Sequence, residues 1–137
     1  MDCNMRRRVF IVEDDPTVAQ HLVAALLTSE NQGLESSRLG SNCEFIECTI
    51  VPSQRDFFET DPSLWDIVVT ASHLQDGTGF DILSFVQGLR PDVPVILTGS
   101  PEEADGAVEA IRAGAADYLM LTGHEMITLP VTIQKSL

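Results

Sequence analysis

The chain has 137 residues, 44% of them hydrophobic, and 8 Lys+Arg against 21 Asp+Glu leave a formal net charge of −13. This is the length of one domain with a core of its own, and its charge repels phosphate backbones and anionic lipid, so neither nucleic acid nor a membrane surface is an expected partner. No apolar run is long enough to cross a bilayer, carboxylates interrupt the N-terminus too early for a signal peptide, and Cys3, Cys43 and Cys48 have neither disulfide-framework nor zinc spacing, which points to reduced thiols in a cytoplasmic protein.

Residues 1–7 read as a tail, with Arg6, Arg7 and Arg8 a solvated basic lead into a first strand at 9–12. Pro16 and Thr17 open a helix with Val18, Leu22 and Leu26 at helical spacing. Residues 29–42, rich in Ser, Asn, Gly and Gln, are a polar insertion or an extended helix and a loop, longer than α/β connections usually are. The mixed run 45–51 suits an edge strand, and Ser53 to Asp56 form a capping box ahead of Phe57 and Phe58. A third strand at 67–69 is followed by Gly77-Thr-Gly and a helix at 80–89 that Pro91 ends. After a fourth strand at 93–97, Ser100-Pro-Glu-Glu103 caps a helix expected to bury Ala104, Val108 and Ile111, with Gly114 at its C-terminus. The fifth strand is 118–121. A last helix is placed near Thr128–Pro130 and is short enough by Leu137 to be read as continuing beyond this chain. Five strand–helix alternations in a single domain of 1–137 imply an α/β fold, a doubly wound parallel sheet with helices on both faces.

In such a sheet, function gathers at the carboxyl ends of the strands. Strand one ends in Glu13-Asp14-Asp15-Pro16, strand three in Thr70-Ala71-Ser72, strand four in Thr98-Gly99-Ser100 and strand five in Leu121-Thr122. Adjacent carboxylates with a hydroxyl two strands away suit Mg²⁺ or a phosphoryl group. His21, His73 and His124 have no ligand spacing, and Cys48 reads as core.

These residues and their spacing resemble the receiver domain of two-component response regulators. The resemblance is carried by residues 9–16, by Trp65-Asp-Ile-Val-Val with Leu74-Gln-Asp-Gly-Thr-Gly79, by Pro94-Val-Ile-Leu-Thr98-Gly99 and by Ala113-Gly-Ala-Ala-Asp-Tyr-Leu119. It implies a flavodoxin-like five-stranded sheet of order 2-1-3-4-5, an acidic pair at Glu13 and Asp14, and switch residues at Thr98 and Tyr118. It equally marks what is missing. The phosphoacceptor position falls on Ala71, the lysine position on Leu121, and the proline of the third loop on Gln75. A methyl group is no nucleophile and no metal ligand, and leucine cannot pair with phosphoryl oxygens. Two losses at one site point to a naturally degenerate receiver rather than one inactivating substitution.

The expectation is therefore a non-enzymatic pseudo-receiver that acts independently of phosphorylation. It would contact a histidine kinase, an effector domain or a second copy through its helix four–strand five–helix five face. At most it would keep a weak, residual Mg²⁺ site at Glu13 and Asp14, whose charges repel one another or raise a pKa. The alternative is a receiver that still accepts a phosphoryl group, with Mg²⁺, on a displaced Asp76 or Ser72.

Overall fold

The computed structural model describes residues 5–32, 44–100, 105–122 and 125–136. Five strands, β1 (Met5–Val12), β2 (Glu44–Val51), β3 (Ile67–Ala71), β4 (Val95–Gly99) and β5 (Asp117–Met120), form one parallel sheet of order β2-β1-β3-β4-β5. Helices α1 (Pro16–Gln32) and α5 (Glu125–Ser136) cover one face; α2 (Gln54–Phe58), α3 (Gly79–Leu89) and α4 (Asp105–Ala113) cover the other. This is the flavodoxin-like architecture and strand order expected above.

The two covered faces explain why the central strands are almost continuously apolar. Along β1, Val9 and Ile11 pack with Leu22 and Leu26 of α1 and Leu129 and Ile133 of α5. Phe10 and Val12 point the other way, toward Phe57, Ile82, Leu83 and Val86. Val68 and Val69 of β3, and Ile96 and Leu97 of β4, divide between the faces in the same alternating manner. No helix among the described residues is long and apolar enough to cross a membrane.

Local signals place most helix starts. The Ser53 hydroxyl accepts from the Asp56 N–H at 3.0 Å. Thr78 and Asp81 form a reciprocal capping box at the start of α3. Asp15 takes the Thr17 N–H at 2.9 Å, with Pro16 as the first residue of α1. Gly114, after α4, has φ +110°, a left-handed conformation that favours glycine. Gly79 is required for a different reason. A Cβ there would lie 2.5 Å from the Ala71 carbonyl oxygen, so the start of α3 rests on the end of β3.

The structure differs from expectation in several places, among them β4, which runs Val95–Gly99 rather than 93–97. β1 begins at Met5, so Arg6, Arg7 and Arg8 are strand residues rather than tail. The segment Met5–Arg8 pairs with β2, whereas β3 joins only from Val9, so apolar residues are needed only from that point. Val108 and Ile111, expected in the core, are 56% and 50% exposed. It is Ala110 that α4 buries. α5 begins at Glu125, and Pro130 is its buried sixth residue rather than its start, so the last helix is longer than predicted. α1 extends to Gln32, so the first part of the polar stretch is helix, in line with the second of the two readings of 29–42. Residues 33–43, the tail 1–4, the cap at 101–104 and His124 lie outside the described residues.

Candidate functional site

The backbone ladder runs one residue past several strands, and these extra bonds assemble the site. The Glu13 N–H donates to Val51 O at 3.0 Å, the Ser72 N–H to Thr98 O at 2.8 Å and the Leu121 N–H to Gly99 O at 2.8 Å. Ala71 and Thr98 are register partners. The result is a cavity of about 260 Å³ lined by Glu13, Asp14, Asp15, Ala71, Thr98 and Leu121, with Val18, Ser72, His73, Gly99 and Ser100 completing the wall. Five of the six residues that strand-end reasoning and spacing single out for this site therefore converge on one cavity, and the sixth, Tyr118, touches its edge through Ser72.

Glu13 is only 7% exposed. Burial, more than anything else, pushes its carboxyl from the usual 4.5 up to about 7. The Asp15 N–H, 3.1 Å from Glu13 Oε2, opposes that rise, and the Asp14 and Asp15 carboxylates add to it. Val18, Ala71 and Leu121 make part of the surrounding wall apolar. Leu121 itself packs against the α1–α5 core.

Asp14 is engaged elsewhere. Its Oδ2 accepts the Gln75 N–H at 2.6 Å, a charge-assisted bond from the first loop to the third. A proline at this position would have no N–H to give. Sequence reasoning identified Gln75 as a departure but not this consequence, because a backbone donor leaves no mark in composition.

Ser72 is buried and lies at the cavity, yet its single hydroxyl proton goes to Thr98 O at 2.7 Å. Its Oγ is 3.3 Å from Tyr118 Oη, so the tyrosine hydroxyl is the donor in that pair. Asp76 is outside the cavity lining. Its two oxygens accept the Gln54 and Arg55 N–H groups, each at 3.0 Å, which holds its carboxyl below the usual carboxylate range. It caps α2 from a distance.

A divalent cation of the Mg²⁺ kind needs near-octahedral oxygen donors. Among the described residues no three His, Cys, Asp or Glu side chains are grouped to hold one. Ala71 supplies a methyl where a further oxygen would be needed, and one Asp14 oxygen already accepts the Gln75 N–H. The donor set does not fit the ion.

No protein-family model matches the chain. Among curated proteins it is 31% identical over 119 residues to the two-component response regulator ORR22 of Oryza sativa subsp. indica, covering 82% of this chain and 14% of that protein. It is 28% identical over 114 residues to the response regulator protein PilR of Pseudomonas aeruginosa, covering 83% of this chain and 22% of that one. The chain thus spans about a fifth or less of the length of these relatives. A crystallised receiver domain protein of Clostridium thermocellum superposes with TM-score 0.74 at 20% identity, over 95% of this chain and 93% of that one.

Proposed function

We propose that the chain, which resembles response regulators in sequence and receiver domains in fold, is itself a receiver domain of two-component signalling, and that it signals without taking up a phosphoryl group. It acts as a cytoplasmic interaction module that regulates an attached or partner effector. The observation that carries this reading is the cavity wall itself: the methyl of Ala71 and the isobutyl of Leu121 occupy the two places where phosphoryl chemistry needs a nucleophile and a cation. The carboxylate and hydroxyl nearest to a rescue, Asp76 and Ser72, are committed to α2 and to Thr98 O.

Incubation with a small-molecule phosphodonor and millimolar Mg²⁺ is expected to leave the intact mass unchanged. Stoichiometric gain of one phosphoryl group at any side chain would overturn the reading. If the gain mapped to Asp76 or Ser72, the displaced-acceptor alternative would replace it.

Of the exposed large apolar side chains, four fall on adjoining elements and define the contact surface of this reading. Val108 and Ile111 on α4, Met120 on β5 and Val131 on α5 are 56%, 50%, 39% and 54% exposed, on the edge strand β5 and the two helices that adjoin it. Apolar side chains on three adjoining elements suit a protein partner, either an effector or a second copy. With a net charge of −13 on every copy, self-association through this face strengthens with added salt. Sedimentation across a concentration series is expected to show reversible association that Ile111→Glu abolishes, with the melting temperature almost unmoved. A salt-weakened association, or one indifferent to Ile111→Glu, would place the contact elsewhere.

A further inference from the structure

We propose that the third loop of this domain is stapled by the protein itself, Asp14 and Asp76 doing the holding, so that the acidic end of the sheet is fixed in one arrangement with no divalent cation. The inference deepens the reading of a cavity without phosphoryl chemistry and rests on it, but it is carried by different atoms.

The loop between β3 and α3 is a short antiparallel ladder, His73–Leu74 against Gly77–Thr78, closed by the turn residues Gln75 and Asp76. Both turn residues are tied, and in opposite directions. The Gln75 N–H reaches Asp14 Oδ2 at the end of β1. Asp76 accepts two N–H groups at the start of α2. A third tie comes from Gln54, whose Oε1 accepts the Thr78 N–H at 3.2 Å and whose side chain occupies the space a Cβ on Gly77 would need. At the base of the loop the Gly79 N–H donates to Ser72 O at 2.8 Å. Two loops that carry clustered carboxylates repel unless something positive or hydrogen-bond donating stands between them. Here the donors are backbone N–H groups, which are fixed by the fold and need no ion in solution.

The staple draws on the same carboxylate a cation would use. One acceptor site of Asp14 Oδ2 is taken by the Gln75 N–H at 2.6 Å, which orients the carboxylate toward the third loop. Asp14 is in this view a positioning residue: it sets the loop that frames Ala71 and Ser72, without touching any reacting group.

Amide exchange of the full chain, read residue by residue by NMR, tests this directly. The Gln75 N–H belongs to an exposed turn and is expected to exchange slowly all the same. Asp14→Ala should speed its exchange by roughly tenfold to a hundredfold, the effect of losing a hydrogen bond to a charged acceptor. Asp14→Asn should restore part of the protection, which a merely structural requirement for charge would not do. Millimolar Mg²⁺ should leave the wild-type amide signals of Glu13, Asp14 and Gln75 in place. Gln75→Pro removes the donor and leaves the carboxylate, so in a double-mutant cycle with Asp14→Ala the two losses should not add. Rapid Gln75 exchange in the wild type, exchange indifferent to Asp14→Ala, or Mg²⁺-dependent shifts at Asp14 would each overturn the staple. If Gln75→Pro does not fold, the Asp14 variants still decide it. Phosphoryl uptake, the test of the functional reading, is measured separately by mass, so the failure of one is not mistaken for failure of the other.

Discussion

Trp65→Ala is expected to lower stability by about 3–5 kcal/mol, a large part of what a domain of this size has. Trp65 is fully buried where the chain enters β3. Its indole stacks on Phe57 with ring centroids 4.8 Å apart and planes 14° from parallel, and Phe85 packs against both rings at 5.9 and 6.1 Å. The indole N–H donates to Thr60 Oγ1 at 3.0 Å, and that hydroxyl donates to Phe57 O at 2.6 Å. Truncation therefore opens a cavity between α2, α3 and β3 and removes the donor to Thr60. A melting-temperature drop of about 10 °C or more is expected in calorimetry. Trp65→Phe keeps a stacked ring and loses the hydrogen bond, so it should cost about 1–2 kcal/mol. Equal losses for the two variants would show that the N–H bond, not the packing, holds this corner. The cluster lies at the opposite end of β3 from Ala71, so neither change should alter behaviour at the acidic cavity.

The second large effect is a pH dependence. Glu13 holds its proton up to about 7 when folded, against an ordinary value of 4.5. Between these values the folded chain binds a proton that the unfolded chain has released. Stability therefore falls as pH rises through that window and levels off above it. The full difference is about 3 kcal/mol. Glu13→Gln keeps the shape and the oxygen that accepts from Asp15 N–H but cannot ionise. It should match the wild type near pH 4 and exceed it by up to about 3 kcal/mol at pH 8. Asp61, Asp76 and Asp92 act with opposite sign. Hydrogen bonds hold each below 3.8, so their contribution is present above that value and lost as pH falls below it. Wild-type unfolding by denaturant at a series of pH values should thus show a maximum near pH 5. A flat profile from pH 5 to 8, or a Gln variant less stable at pH 8, would mean that Glu13 is ionised in the folded cavity.

The five strands and the carboxyl-edge cluster were readable because both leave side-chain signatures. Two-sided burial makes Val9–Val12 and Val68–Val69 apolar, and strand ends put Glu13, Asp14, Ala71, Thr98 and Leu121 at predictable spacings. What escaped depends on neighbours distant in sequence. Arg6–Arg8 look like a tail until the full length of β2 is seen beside them. Helical spacing places Val108 and Ile111 on an apolar stripe, but among the described side chains of α4 it is Ala110 that is pressed into the core. The commitments of Asp14 and Asp76 are to backbone N–H groups of residues 75, 54 and 55, and a peptide N–H is the same in every residue but proline. Pro130 misled for the opposite reason: proline favours a helix start, yet here α5 carries it inside.

The contact between Gly79 and β3 separates a demand of the fold from a demand of the site. The obstacle to a side chain at position 79 is the carbonyl oxygen of Ala71, a backbone atom that would be there whichever residue stood at 71. The demand for glycine is therefore independent of the side chain at 71. A glycine eight residues past the end of β3 is thus demanded by the architecture and not by the chemistry of the site. The side chains at 71 and 121, which line the cavity, bear instead on what the site can hold.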